Sequence, residues 1–124
     1  MTANKAKVSL ETLNDLIIDS IQDIKGKNIL KLDLRSLKEA PAEFFIICEG
    51  DSNTQTKAIA DNIYKRLKLE ANILPLNQEG HQNASWICID YFNIVVHVFY
   101  KETRKYYELE DLWSDATITE YDML

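Results

Sequence analysis

Trp86-Ile87-Cys88-Ile89-Asp90-Tyr91-Phe92-Asn93-Ile94-Val95-Val96-His97-Val98-Phe99 reads as two β-strands meeting at a tight turn. Ile, Val, Tyr and Phe dominate it, and such side chains fit a pleated, half-buried surface. Phe92-Asn93 is the expected turn, with Tyr91 facing Ile94 across it. A two-residue connection favours Gly or Asn where φ is positive, so Phe92 is a strained choice unless the loop is longer. In the two-residue register Cys88 lies opposite His97 and Trp86 opposite Phe99. Alternation then divides the hairpin into two faces. One carries Ile87, Ile89, Tyr91, Ile94, Val96 and Val98, a continuous core. The other carries Trp86, Cys88, Asp90, Val95, His97 and Phe99, apolar but studded with polar groups. That second face must be covered by another element or by another molecule.

At 124 residues the chain reads as one domain, 1–124, able to bury roughly two-thirds of its unfolded surface. Its ends, 1–7 and 115–124, are expected to fray. With 46% hydrophobic and 27% charged residues, the composition is that of an ordinary globular protein. No apolar run approaches the roughly 20 residues that span a bilayer. Met1 to Lys7 is small and basic with no apolar stretch after it, unlike a secretory signal. Cys48 and Cys88 sit inside apolar runs and read as buried free thiols of a reduced cytoplasm. The net charge of −6 is uneven: residues 1–38 hold seven bases against five acids, the remainder seven against fifteen. From Glu108 onward there is no base at all. A nucleic-acid binder needs a basic footprint, and the C-terminal half offers the reverse. An acidic surface suits a basic protein partner, or simply confers solubility.

Elsewhere the periodicities are local and clear. Ser9 caps a helix with Leu10, Leu13, Ile17, Ile21 and Ile24 at helical spacing, stopped at Lys25-Gly26. Asp15, Asp19 and Asp23 line its opposite face as a solvated row. Ile29 to Leu34 alternates and reads as a half-buried strand suited to an edge. Phe44 to Cys48 reads as an inner strand covered on both sides. Ser52 and Gln55 have capping-box spacing, before a helix whose stripe is Ile59, Ile63 and Leu67. Ile73-Leu74-Pro75-Leu76 reads as a short extended segment completing a right-handed strand–helix–strand crossover. Glu102 to Trp113 reads as short helical turns with Leu109, Leu112 and Trp113 on one face.

Catalytic chemistry finds little support. Gly50-Asp51-Ser52 at a helix N-terminus resembles a phosphate-binding turn, but the glycines and Lys of a P-loop are absent. A nucleotidyltransferase needs a second acid two residues from the first to clamp metal ions; Asp90 is followed there by Phe92. Cys48, Cys88, His81 and His97 have no zinc-ligand spacing. Cys88, His97 and Asp90 share a face, the nearest approach to a nucleophile and base. The aromatics Trp86, Tyr91, Tyr106, Tyr107 and Trp113 are many for one end of a small domain. They either close the core or present a binding surface.

At these residues the chain resembles a known family. Cys48-Glu49-Gly50-Asp51-Ser52, Lys57-Ala58-Ile59-Ala60-Asp61, Glu79-Gly80, the Trp86–Tyr91 and Val95–Phe99 strands, and Arg104 through Trp113 are similar to the ribosomal silencing factors (RsfS, or Iojap, proteins). The match runs in register from about Leu13 to Asp115. It implies an α/β (α+β) fold, a mixed sheet of about five strands flanked by helices, nucleotidyltransferase-like without the catalytic acids. It implies no enzyme activity, no metal and no cofactor. The implied function is binding to large-subunit ribosomal protein fourteen, blocking the joining of the two subunits and so repressing translation in the cytoplasm. Neither a membrane nor a specific nucleic-acid sequence is an implied partner. Carried over by position, the partner contacts fall on Trp86, Tyr91 and Tyr107, with Asp90, Glu108 and Glu110 as acidic companions. A Gly-Asp turn usually follows Tyr91 in this family, where this chain has Phe92-Asn93. Two alternatives stand beside this reading. One is a nucleotide-binding enzyme using Gly50, Ser52 and Asp90; the other is a homodimer burying the aromatic face.

Overall fold

The computed structural model describes residues 8–121. A six-stranded mixed sheet carries the fold, one strand more than the sequence suggests. In chain order the elements are α1 (Leu10–Asp23), β1 (Lys27–Asp33), β2 (Phe44–Gly50), α2 (Asn53–Arg66), β3 (Asn77–Glu79), β4 (Trp86–Asp90), β5 (Ile94–Tyr100), α3 (Lys101–Tyr107), α4 (Leu109–Leu112) and β6 (Thr117–Tyr121). Across the sheet the strands run β3-β4-β5-β2-β1-β6. Only β2 and β5 pair in parallel; every other pairing is antiparallel.

The β4–β5 hairpin forms in the expected register, Trp86 opposite Phe99 and Cys88 opposite His97. Tyr91 N–H donates to the Ile94 carbonyl at 2.8 Å, and Asn93 N–H to the Tyr91 carbonyl at 3.0 Å. Phe92, between them, sits at φ 76°, the rarer and strained hand of such a three-residue turn. Two side chains hold it there. The Asp90 carboxylate accepts Phe92 N–H at 2.7 Å, an Asx-turn, and the Asn93 amide donates to Glu43 at 2.6 Å.

Alternation places the core on both sides of the sheet. On one face Ile87, Ile89, Tyr91, Ile94, Val96 and Val98 pack under α1 and α2 with Leu13, Ile17, Ile21, Ile59, Ile63 and Leu67. Each fully buried aliphatic side chain there stabilises by roughly 1.5–3 kcal/mol. Ser9 Oγ caps α1 by accepting Thr12 N–H at 3.1 Å. Ser52 Oγ caps α2 by accepting Gln55 N–H at 3.0 Å, while Gln55 Oε1 accepts Asp51 N–H at 2.7 Å. The reciprocal bond therefore lands one residue earlier than in a regular capping box. The acidic row on α1 is not wholly solvated. Arg66 of α2 donates to Asp19 at 2.7 Å and to Asp23 at 2.9 Å, pinning the two helices together.

Four expectations need correcting. β1 is an inner strand, because β6 pairs along its outer side from Ile29–Tyr121 to Asp33–Thr117. Residues 117–121 thus form a strand where fraying was expected, and Ala116 before them is buried with its N–H on the Trp113 carbonyl; the rest of that expectation, 1–7 and 122–124, lies outside the described residues. The extended segment after α2 shifts too. α2 continues through a π-helical turn, Leu67–Ala71, ended by Asn72 at φ 56°. The strand that follows is the polar Asn77–Glu79, not Ile73–Leu76; Pro75, with no N–H, cannot complete a ladder. Lastly, Leu109 is buried and Trp113 packs inward, but Leu112 is exposed.

Candidate functional site: an aromatic groove beside the last hairpin

On the second face of the sheet, Leu32, Leu34, Phe45, Ile47 and Phe99 are covered by Leu109 and Ala116, with Trp113, Trp86 and Val95 packed at the margin. Coverage stops at Trp86, at the start of β4. Gly80 shapes that start: at φ 92° its α-carbon lies so close to the Trp86 carbonyl that a β-carbon would collide with it. Because α3 begins directly where β5 ends, its residues sit beside this indole. Trp86 stacks on Phe99 with centroids 4.8 Å apart and packs against Tyr107 at 4.9 Å. Tyr106 meets Tyr107 edge-on at 5.0 Å. Tyr106 is 82% exposed and Tyr107 52%. Between them opens a groove of about 400 Å³, lined by Ser85, Trp86, Glu102, Thr103, Tyr106 and Tyr107. Two tyrosines left in water beside a half-buried indole form the kind of patch that binding hot spots use.

The indole is also polar-satisfied from within. Its Nε1–H donates to His97 Nδ1 at 3.1 Å. His97 is 6% exposed, packs edge-on against Phe45 at 4.6 Å, and leaves Nε2 buried without a partner among the described residues. Burial pulls its protonation down to about 4, so it stands neutral, with its proton on Nε2 and its lone pair on Nδ1.

The six residues expected to meet a partner divide in the structure. Trp86 and Tyr107 line the groove, whereas the exposed Glu108, next in the chain, lines the neighbouring cleft beside Arg104. Tyr91 does not: it is 7% exposed and lies in the core beneath the helices. Its alternation with Ile87 and Ile89 dictates that direction, and burial pushes its phenol well above the usual range. Asp90 lies four residues along β4 from Trp86, about 13 Å away, and holds the hairpin tip. The side chain at that tip which does face water is Phe92, 69% exposed. Glu110 turns inward toward Arg104 at 3.4 Å. Arg104 is buried; it donates to the Asn28 carbonyl at 2.6 Å and to Glu49 at 3.1 Å. This ion cluster fixes α3, and the sequence reading missed it. An arginine amid Tyr100, Tyr106 and Tyr107 was the available signal.

The groups that catalysis would recruit are engaged elsewhere. Cys48 packs on the helix side of the sheet and Cys88 on the other, too separated to share a metal. Burial pushes the two thiols up to about 12 and about 11. His97 Nδ1 is occupied by Trp86, and Asp90 by the backbone of Phe92. Among the described residues no three His, Cys, Asp or Glu side chains converge as metal ligands, and no helix is long and apolar enough to cross a membrane.

Comparison with known proteins bears on this geometry. A family described as "Ribosomal silencing factor during starvation" matches residues 7–124. The chain is 36% identical over 115 residues to a protein of Halalkalibacterium halodurans named ribosomal silencing factor RsfS, covering 93% of this chain and 97% of that one. A crystal structure of a Chromobacterium violaceum protein superposes with a TM-score of 0.81 at 37% identity, over 86% of this chain and 87% of that one. One from Bacillus halodurans does so at 0.76 and 34%, over 90% and 99%.

Proposed function

The chain belongs to the ribosomal silencing factor family, and on that premise we propose that its aromatic groove docks on large-subunit ribosomal protein fourteen. So placed, the protein would stand between the two subunits in the cytoplasm and hold them apart by bulk, with no reaction taking place. One observation carries the reading. Trp86, Tyr106 and Tyr107 form an aromatic surface that no other element among the described residues covers. Exposed Glu102 lines it, and exposed Glu108 and Asp111 follow in the same C-terminal segment. The net charge of −6 suits a basic partner by steering its approach. A stable complex needs roughly 1,200–2,000 Å² buried in all, so the rings supply the centre of the contact and the acids its rim.

The test is co-sedimentation with isolated large subunits, followed by addition of small subunits and measurement of joining. Trp86→Ala and Tyr107→Ala are each expected to weaken binding by more than about 1 kcal/mol, with the fold intact by circular dichroism. If both variants sediment like the unmodified protein, the groove is not the docking site.

A further inference from the structure

The docking reading leaves open why a half-exposed indole should hold one orientation. Stacking on Phe99 and the tilted contact with Tyr107 constrain its plane, but a ring turned over between them would keep most of its contact area. The hydrogen bond removes that freedom. In the hairpin register His97 sits one pair beyond Phe99 on the same face, diagonal to Trp86, which is within reach of long side chains. It is buried, wedged by Phe45, and points Nδ1 at the indole N–H. We propose that His97 is a positioning residue for docking: it fixes the Trp86 ring so that the edge turned to the partner is hydrocarbon, with the ring's only polar atom already bonded inside. This inference rests on the docking reading above.

Three features support it. A partner meeting an indole with a free N–H would have to supply an acceptor or leave a donor unpaired at a dry interface; here it need supply neither. His97 also tolerates a buried Nε2–H with no partner among the described residues, a cost that a purely structural apolar residue at this position would avoid. And because burial disfavours its protonation, His97 keeps its lone pair available under neutral conditions.

Asparagine and glutamine at position 97 separate positioning from simple packing. Asn places an oxygen close to where Nδ1 lies, whereas Gln carries it to the Nε2 side. The indole N–H resonances report the bond, with Trp113→Phe assigning which of the two tryptophans is which. The expected result is that His97→Asn keeps the Trp86 resonance slow to exchange and binds large subunits within about threefold of the unmodified protein. His97→Gln and His97→Leu are expected to lose that protection and bind at least tenfold more weakly. Equal loss in Asn and Gln variants that are both folded would reduce His97 to packing and overturn the proposal. So would an unchanged resonance in His97→Leu. If the unmodified protein fails to sediment with large subunits, the ribosomal reading falls, and the claim that this ring docks falls with it. The resonance comparison still decides separately whether His97 sets the ring.

Discussion

His97 makes the fold sensitive to mild acid in a way that can be worked out in advance. Burial lowers its protonation from the ordinary 6.5 to about 4 in the native state, while the unfolded chain keeps the ordinary value. Between those two points the unfolded state binds a proton that the native state refuses, so stability falls as pH falls. Each pH unit between them is worth about 1.4 kcal/mol, and the whole interval about 3 kcal/mol. Roughly 2 kcal/mol of it should be gone by pH 5. The carboxylates cannot imitate this. Hydrogen bonds from Arg35, Lys27 and Arg66 hold Asp33, Asp51 and Glu70 below the usual carboxylate range, so their losses set in at about pH 5 and fall mainly below this window. Urea unfolding from pH 7 to pH 5, followed by tryptophan fluorescence, measures the effect. His97→Asn removes the titrating group and serves as the reference. The midpoint of the unmodified protein should move to lower urea across this window while that of the variant stays nearly level. Parallel behaviour of the two would mean that the imidazole is not desolvated as described, and the reasoning about its neutral lone pair would fail with it.

The remaining predictions concern stability at three sites. Tyr91→Phe deletes a buried hydroxyl with no partner among the described residues; thermal unfolding should show a change between nil and a gain of about 1 kcal/mol. Tyr91→Ala should cost about 3–5 kcal/mol, a core loss rather than a binding loss, and large-subunit affinity measured on its folded fraction should be unchanged. Phe92→Gly should relieve the positive φ and raise the urea midpoint by an amount equivalent to about 1 kcal/mol, provided Asp90 keeps its bond to residue 92. Arg104→Met should destabilise by about 3 kcal/mol or more, read as a fall in Tm, because Glu49 and Glu110 are then left facing each other unpaired.

What the sequence makes legible follows its strongest periodicities. The hairpin register, the caps at Ser9 and Ser52 and the inner strand Phe44–Cys48 each rest on local chemistry that tertiary packing reinforces. β6 fails that test. Thr117, Ile118, Thr119, Glu120 and Tyr121 are good strand formers, but the strand is an exposed edge and shows no hydrophobic alternation to read. Its absence from the reading is also what made β1 look like an edge. Tyr91 is where two signals in the sequence part. The alternation of β4 assigns it to the core, while the family resemblance assigns it to the partner, and the structure sides with alternation. Asp90 and Glu110 were read as free charges, although one caps a backbone N–H two residues on in an Asx-turn and the other meets an arginine six residues back. Trp86 and Tyr107 were legible as candidates from composition, yet only the fold shows them touching.

That contact depends on a helix too short to stand alone. Seven residues, Lys101 to Tyr107, fall well below the length at which an isolated helix persists in water. What holds α3 is Arg104, whose guanidinium joins the Asn28 carbonyl in β1, Glu49 in β2 and Glu110 in α4. The cleft beside Arg104 and the groove beside Tyr107 share only Glu102 in their linings. The helix therefore has an ionic side that fastens it and an aromatic side that is the proposed docking surface, and one is the condition of the other. With the clamp loosened, Tyr107 would leave Trp86, and the groove would cease to exist although none of its own residues had changed. An acid such as Glu110 thus fixes rings in place, and under the proposed docking, charge attraction would fall to the exposed Glu102, Glu108 and Asp111. Affinity should accordingly depend weakly on salt and steeply on the rings, while the rate of association carries the salt dependence.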